Sequence, residues 1–168
     1  MLTHLSINNY TLVDHLELEL DRGMTVITGE TGAGKSILLD ALSLALGDRA
    51  DPDRVRNGEE RADINASFDI SKLKEPKNWL VEHDLCLGDE CILRRVITKE
   101  GRSRGYINGQ PVTLTQLKTL GEMLIDIHAQ HEHQSLLKKD TQRKLVDEYA
   151  GHQKLADDVK TAFHEWQS

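Results

Sequence analysis

The sequence predicts an α/β fold in which a phosphate-binding loop joins a strand to a buried helix, followed by an antiparallel β region. Three observations carry this. Gly29-Glu30-Thr31-Gly32-Ala33-Gly34-Lys35-Ser36 matches G-x-x-x-x-G-K-[ST] in full. The run from Ile37 to Leu46 is too densely apolar for a surface helix and lacks strand alternation, so it reads as a helix buried on most sides. Ile64, Ala66, Phe68 and Ile70 alternate with Asn65, Ser67 and Asp69, the pattern of a strand that is apolar on one face only.

The elements follow in order. Leu5 and Ile7 suggest a first strand. Leu16, Leu18 and Leu20 alternate with Glu17 and Glu19, and Met24 to Thr28 follows after Asp21-Arg22-Gly23, which predicts two strands joined by a turn. Pro76 near a first turn, with Trp79, Leu80 and His83 spaced behind it, predicts a short helix over Glu75 to Leu85. Cys91 to Thr98 and Gly105 to Ile107 flank a polar stretch, and Asn108-Gly109 adds a tight turn before Pro111, giving a β-meander. Thr113 with Gln116 forms a capping box for a helix bearing Leu114, Leu117 and Leu120, with Gly121 as its expected end. Met123 to Ile127 reads as a short buried strand. From Asp140 onward the pattern is helical with a break near Gly151. Its stripe Leu155, Val159, Phe163 and Trp166 is expected to pack on its own domain, with modest support for a coiled-coil arm.

Composition narrows the function classes. With 168 residues, 38% of them hydrophobic, the chain can bury the core of about one domain. Its net charge of −7 argues against a wholly basic nucleic-acid-coating protein, while leaving room for local basic patches. Ile37 to Leu46 falls far short of the roughly 20 apolar residues of a membrane span, and the amino terminus has no secretory pattern, so a cytoplasmic protein is expected. Cys86 and Cys91 make no disulfide framework.

The phosphate loop is the strongest chemical signal. Its glycines let successive N–H groups converge, and the following helix adds its positive end, so the fitting ligand is a triphosphate. Lys35 would reach the β- and γ-phosphates, and the Ser36 hydroxyl would coordinate Mg²⁺. A glycine-rich turn with an accidental lysine is the ordinary alternative, and the complete motif in its strand-to-helix context speaks against it. The rest of a hydrolytic site is incomplete. Met123-Leu124-Ile125-Asp126 resembles a Walker B strand, but Ile127 follows instead of an acidic residue, and no Leu-Ser-Gly-Gly string occurs.

Several strings together, L-x-x-L-x-I-x-N-Y at the start, GETGAGKS, LGDRA, GRSRGYINGQPV and IDIHAQHEHQ, resemble the RecN family of bacterial SMC-like DNA-repair ATPases, up to about Leu137. The resemblance implies an α/β P-loop NTPase of ABC/SMC head-lobe type, with a mixed sheet, an antiparallel β region and the root of a coiled-coil arm. Residues 1–137 would be the amino-terminal head lobe and 138–168 the start of the arm. The signature segment and Walker B would then belong to a carboxy-terminal lobe. It further implies ATP and Mg²⁺ as cofactors, and a role in double-strand-break repair and recombination at the nucleoid. The implied partners are the carboxy-terminal lobe, a second head in a homodimer, and DNA. Gln130 occupies the position of the glutamine that contacts Mg²⁺ and the attacking water, with Gln134 the second choice. Ala129 stands where the family pattern has glycine.

Other candidates weigh less. His128, His131 and His133 with Glu132 invite a metal reading, but His131 and His133 would diverge on a strand or a helix. Arg94, Arg95, Arg102 and Arg104 form a basic segment that fits either DNA phosphates, a neighbouring head or a solvated hairpin. Arg49 stands near enough in sequence to approach the triphosphate. Two other functions compete: a stand-alone P-loop kinase acting on a small molecule, and a nucleotide-gated interaction module without turnover.

Overall fold

The computed structural model describes residues 1–29, 34–125, 127, 142–143, 146–147 and 149–167. The chain divides into two compact units, Met1–Ile127 and His128–Ser168. In the first, alternation translates directly into a sheet. Strands β1 (Leu2–Tyr10), β2 (Val13–Glu19), β3 (Arg61–Asp69), β4 (Glu90–Thr98), β5 (Ser103–Ile107) and β6 (Gln110–Val112) pair in the order β2-β1-β3-β4-β5-β6. All five pairings are antiparallel.

Register explains which face is buried. Ile7 lies opposite Ile64, and Ala66 opposite Leu93, so the apolar residues of three strands share one face. Helices α1 (Lys35–Ala45), α2 (Lys74–Glu82) and α3 (Leu114–Leu124) accompany this sheet. Ala41, Leu42, Leu80, Leu117 and Leu120 join Ile64, Phe68, Leu93 and Ile107 in one core. The opposite face is polar: Ser6 donates to Glu17 Oε1 at 2.9 Å, and His4 Nε2 lies 2.5 Å from Glu17 Oε2. Such a one-sided antiparallel sheet is what the alternation of Ile64 to Ile70 predicts.

Three local expectations are corrected. Met24 to Thr28 forms no strand; Met24 is 94% and Val26 74% exposed, because no partner strand lies beside them among the described residues. The capping box at α3 is present, with the Thr113 hydroxyl accepting from the Gln116 N–H at 3.2 Å and the Thr113 N–H donating to Gln116 Oε1 at 3.1 Å. Gly121, however, does not end that helix. It is buried within it, where an added Cβ would stand 2.7 Å from the Leu46 carbonyl oxygen, so its role is to let α3 approach the end of α1. Consequently Met123 and Leu124 are helical and the expected strand over Met123 to Ile127 does not form there; Asp126 lies outside the described residues.

In the second unit, α4 (Gln153–Gln167) follows Gly151, whose φ of +67° marks the predicted break. The expected burial of its stripe is not seen: Leu155, Val159, Phe163 and Trp166 are between 51 and 80% exposed.

Candidate functional site: the phosphate loop and the basic hairpin

Gly34 stands at the amino end of α1 with φ +90°, in the left-handed region that favours glycine, and delivers the chain into the helix. The first turn of α1 has no side-chain cap and no acidic residue. The positive end of the helix dipole therefore meets no carboxylate of its own first turn. Lys35 opens the helix, and its ammonium donates to the Gly29 carbonyl across the loop. Ser36 follows on the same turn and is exposed. These features fit a phosphate group: a cation and a hydroxyl lie at one helix N-terminus, with no carboxylate in the first turn to repel it. Glu30, Thr31, Gly32 and Ala33 lie outside the described residues, as do Gln130, Gln134 and the cluster His128, His131, Glu132 and His133.

The far end of α1 is pinned to the sheet by an arginine. Alternation along β4 sends Arg94 and Arg95 to opposite faces. Arg95 is completely buried on the helix side, where its Nη2 donates to the Asp48 carbonyl at 3.3 Å. Its Nε and Nη1 have no acceptor among the described residues. Burial lowers its pKa, opposed by the nearby Asp48. This contact holds the turn carrying Arg49, itself exposed, against β4. The Asp48 carboxylate in turn lies 3.8 Å from Lys118 Nζ on α3.

Arg94 points to the polar face and makes a bidentate pair with Asp63 on β3, which raises its pKa further. Its guanidinium also stands 5.5 Å from the centroid of the Tyr106 ring. Arg102 Nε is 3.8 Å from Glu100 Oε2, and both side chains are well exposed. Arg104 is exposed on β5. Thus the basic segment splits: Arg95 is a core residue, Arg94 a paired one, and Arg102 and Arg104 project from the hairpin. Sequence reading missed Asp63 as the Arg94 partner, although both sit at odd-even positions of strands already legible. It also missed Asn108, whose side chain accepts from the Ile92 N–H at 2.8 Å and donates to the Leu85 carbonyl at 2.7 Å.

An antiparallel lobe whose phosphate loop opens a helix packed on one sheet face is the architecture of an ABC/SMC-type ATPase head lobe. The family model described as an AAA domain matches residues 4–164, and the chain belongs to that family. Its fold matches the Smc head domain with an extended coiled coil from Pyrococcus furiosus, solved bound to the C-terminal domain of ScpA. The TM-score is 0.72 at 19% identity, covering 99% of this chain and 46% of that one. A second structure, described in terms of ATP-driven dimerization and DNA-stimulated activation of SMC ATPases, matches with TM-score 0.64 at 19% identity over 87% of this chain and 97% of its own.

Within that class the sequence relatives are specific. The DNA repair protein RecN of Vibrio cholerae serotype O1 is 52% identical over 166 residues, 99% of this chain and 30% of that protein. The RecN resemblance carried by the motifs is thus borne out. The chain spans about 30% of the length of the curated RecN relatives it matches.

Proposed function

We propose that the chain is the ATP-binding half of an SMC-like ATPase head acting in DNA double-strand-break repair and recombination, in the cytoplasm at the nucleoid. The observation that carries this is the amino end of α1, where Lys35 and Ser36 follow Gly34 in a first turn without acidic residues, beside an exposed apolar segment. Lys35 would hold the β- and γ-phosphates and Ser36 a Mg²⁺ ion, whose chemistry is to neutralise charge on the phosphates. Residues 29–36 together would form the cradle. Gln130 would orient the attacking water and reach the same Mg²⁺ through its amide oxygen.

Hydrolysis requires two further parts in this reading. A carboxy-terminal lobe of the same protein would pair with the Met24–Thr28 segment, completing a mixed sheet and supplying Walker B and signature residues. A second head would close over the nucleotide in a homodimer. Residues 1–137 form the lobe and 138–168 the base of an arm, whose exposed Leu155, Val159, Phe163 and Trp166 would be covered by a returning helix. DNA contact falls to Arg102 and Arg104, since Arg94 is held by Asp63 and Arg95 by the Asp48 carbonyl. No described helix is long and apolar enough to cross a membrane.

The experiment is an ATP turnover assay on this chain alone and with the carboxy-terminal lobe co-expressed. Binding without turnover is expected in the first case, and turnover in the second. Gln130→Ala in the assembled protein should lower kcat with little change in KM. Turnover by the chain alone at the 1–100 s⁻¹ usual for kinases would overturn the half-site reading.

A further inference from the structure

Cys86 and Cys91 flank a two-residue turn. Leu87 and Glu90 form an isolated antiparallel bridge across Gly88 and Asp89. The ladder stops at that bridge; carried one step further, its register would set Cys86 opposite Cys91. A bridge that closes a two-residue turn is a hydrogen-bonded pair, so the next position is the non-hydrogen-bonded kind, in which opposite Cα atoms lie about 4.5 Å apart. That is inside the range of roughly 4.4–6.8 Å that a disulfide spans. Beyond the cysteines the Asn108 side chain stands between the two segments and links them, donating to the Leu85 carbonyl and accepting from the Ile92 N–H. Both cysteines belong to the same side of the sheet: Cys91 lies in the core and Cys86 packs against it.

The two thiols differ in access. Cys91 is fully buried, and Cys86 is partly exposed. Burial, with Cys86 and Glu90 nearby, pushes the Cys91 thiol up to about 12. Lys77 interacts electrostatically with Cys86, and its ammonium donates to Asp89 Oδ1 in the turn at 2.5 Å.

We propose that Cys86 and Cys91 form a reversible redox pair, in which a peroxide oxidises Cys86 and Cys91 resolves it to an intramolecular disulfide. The Cys86 thiolate attacks one oxygen of hydrogen peroxide; the S–O bond forms, the O–O bond breaks, and the departing hydroxide takes a proton to become water. The Cys91 sulfur then attacks the Cys86 sulfur. The S–S bond forms, the S–O bond breaks, and a second water leaves with the Cys91 proton. Two thiols lose two electrons, and one peroxide becomes two waters. The disulfide ties the exit of α2 to the start of β4, and thiol exchange with a cellular dithiol reverses it.

The test is alkylation counting and peptide mapping of the whole chain before and after hydrogen peroxide, with and without dithiothreitol. The expected result is loss of both alkylation sites, a Cys86–Cys91 linked peptide in monomeric protein, and full return on reduction. In Cys91→Ser a sulfenic acid trapped by dimedone should accumulate on Cys86. Mapping of the unmutated chain does not need the variant to fold. Oxidation of Cys86 with Cys91 still alkylatable, disulfide-linked dimers through Cys86, or no reaction of either thiol would each overturn the pair.

Discussion

Strand β3 and the segment Met24–Thr28 carry similar local patterns and meet different fates. In β3 alternate residues are buried, with Ala62, Ile64, Ala66 and Phe68 at zero exposure between β1 and β4. In the segment before the phosphate loop, Met24 and Val26 are mostly exposed. The difference teaches that a strand is a property of a pair. The β3 side chains find Ile7 and Leu93 across the ladder, whereas the segment, with no neighbouring strand among the described residues, leaves Met24 and Val26 exposed. A site built on the exposed segment has less packing behind it than the β3 core does among the described residues.

The largest effect that sharpens this contrast is in the β3 core. Phe68→Ala removes a fully buried ring and should cost about 3–5 kcal/mol in chemical unfolding of this chain. A loss under about 1 kcal/mol would mean that the β3 core is not load-sharing in the way its burial indicates.

Next is the nucleotide. Lys35→Ala removes the charge proposed to contact the phosphates and should weaken ATP binding with Mg²⁺ by about 1.5–3 kcal/mol, with the unfolding midpoint of the ligand-free protein little changed. This separates a binding role from a folding one. Unchanged affinity, read by calorimetry, would remove the phosphate-site assignment.

The helix junction tests how far the lobe's order reaches. Gly121→Ala would put a methyl 2.7 Å from the Leu46 carbonyl oxygen, a backbone atom that cannot swing away. The expected cost is about 1–3 kcal/mol, because α3 must move off the end of α1. Thermal unfolding measures it, and a neutral result would show that the two helices are free to part.

How much was legible follows the same division. The alternation of β3, the meander through Asn108-Gly109 and the Thr113 capping box are decided by neighbours in sequence, and all three stand in the structure. Gly121 was misread because a glycine after an apolar helix usually marks a helix end; its actual cause, the Leu46 carbonyl, is 75 positions away in the chain. The basic segment was read as one run of arginines, although period-two alternation alone sends Arg94 and Arg95 to opposite faces. What alternation does not supply is the pairing: Asp63 for Arg94 and the Asp48 carbonyl for Arg95 come from other elements. The phosphate loop is legible in the sequence as a motif because its glycines and lysine need only local spacing, while residues 30–33 of it lie outside the described residues.

The smallest effect is the one that most directly probes the comparison. Val26 is 74% exposed, so Val26→Ser removes little buried surface in this chain and its unfolding free energy should stay within about 0.5 kcal/mol of wild type. The same substitution in the assembled head places a hydroxyl where an apolar partner is proposed to pack, and weakens association with the carboxy-terminal lobe. Co-purification of the two lobes reads that directly. A Val26→Ser chain that unfolds as readily as Phe68→Ala would show that the segment is packed within this lobe. If it is neutral to folding and also neutral to assembly, Met24–Thr28 is a tether to the phosphate loop, and the missing partners of the site must dock elsewhere.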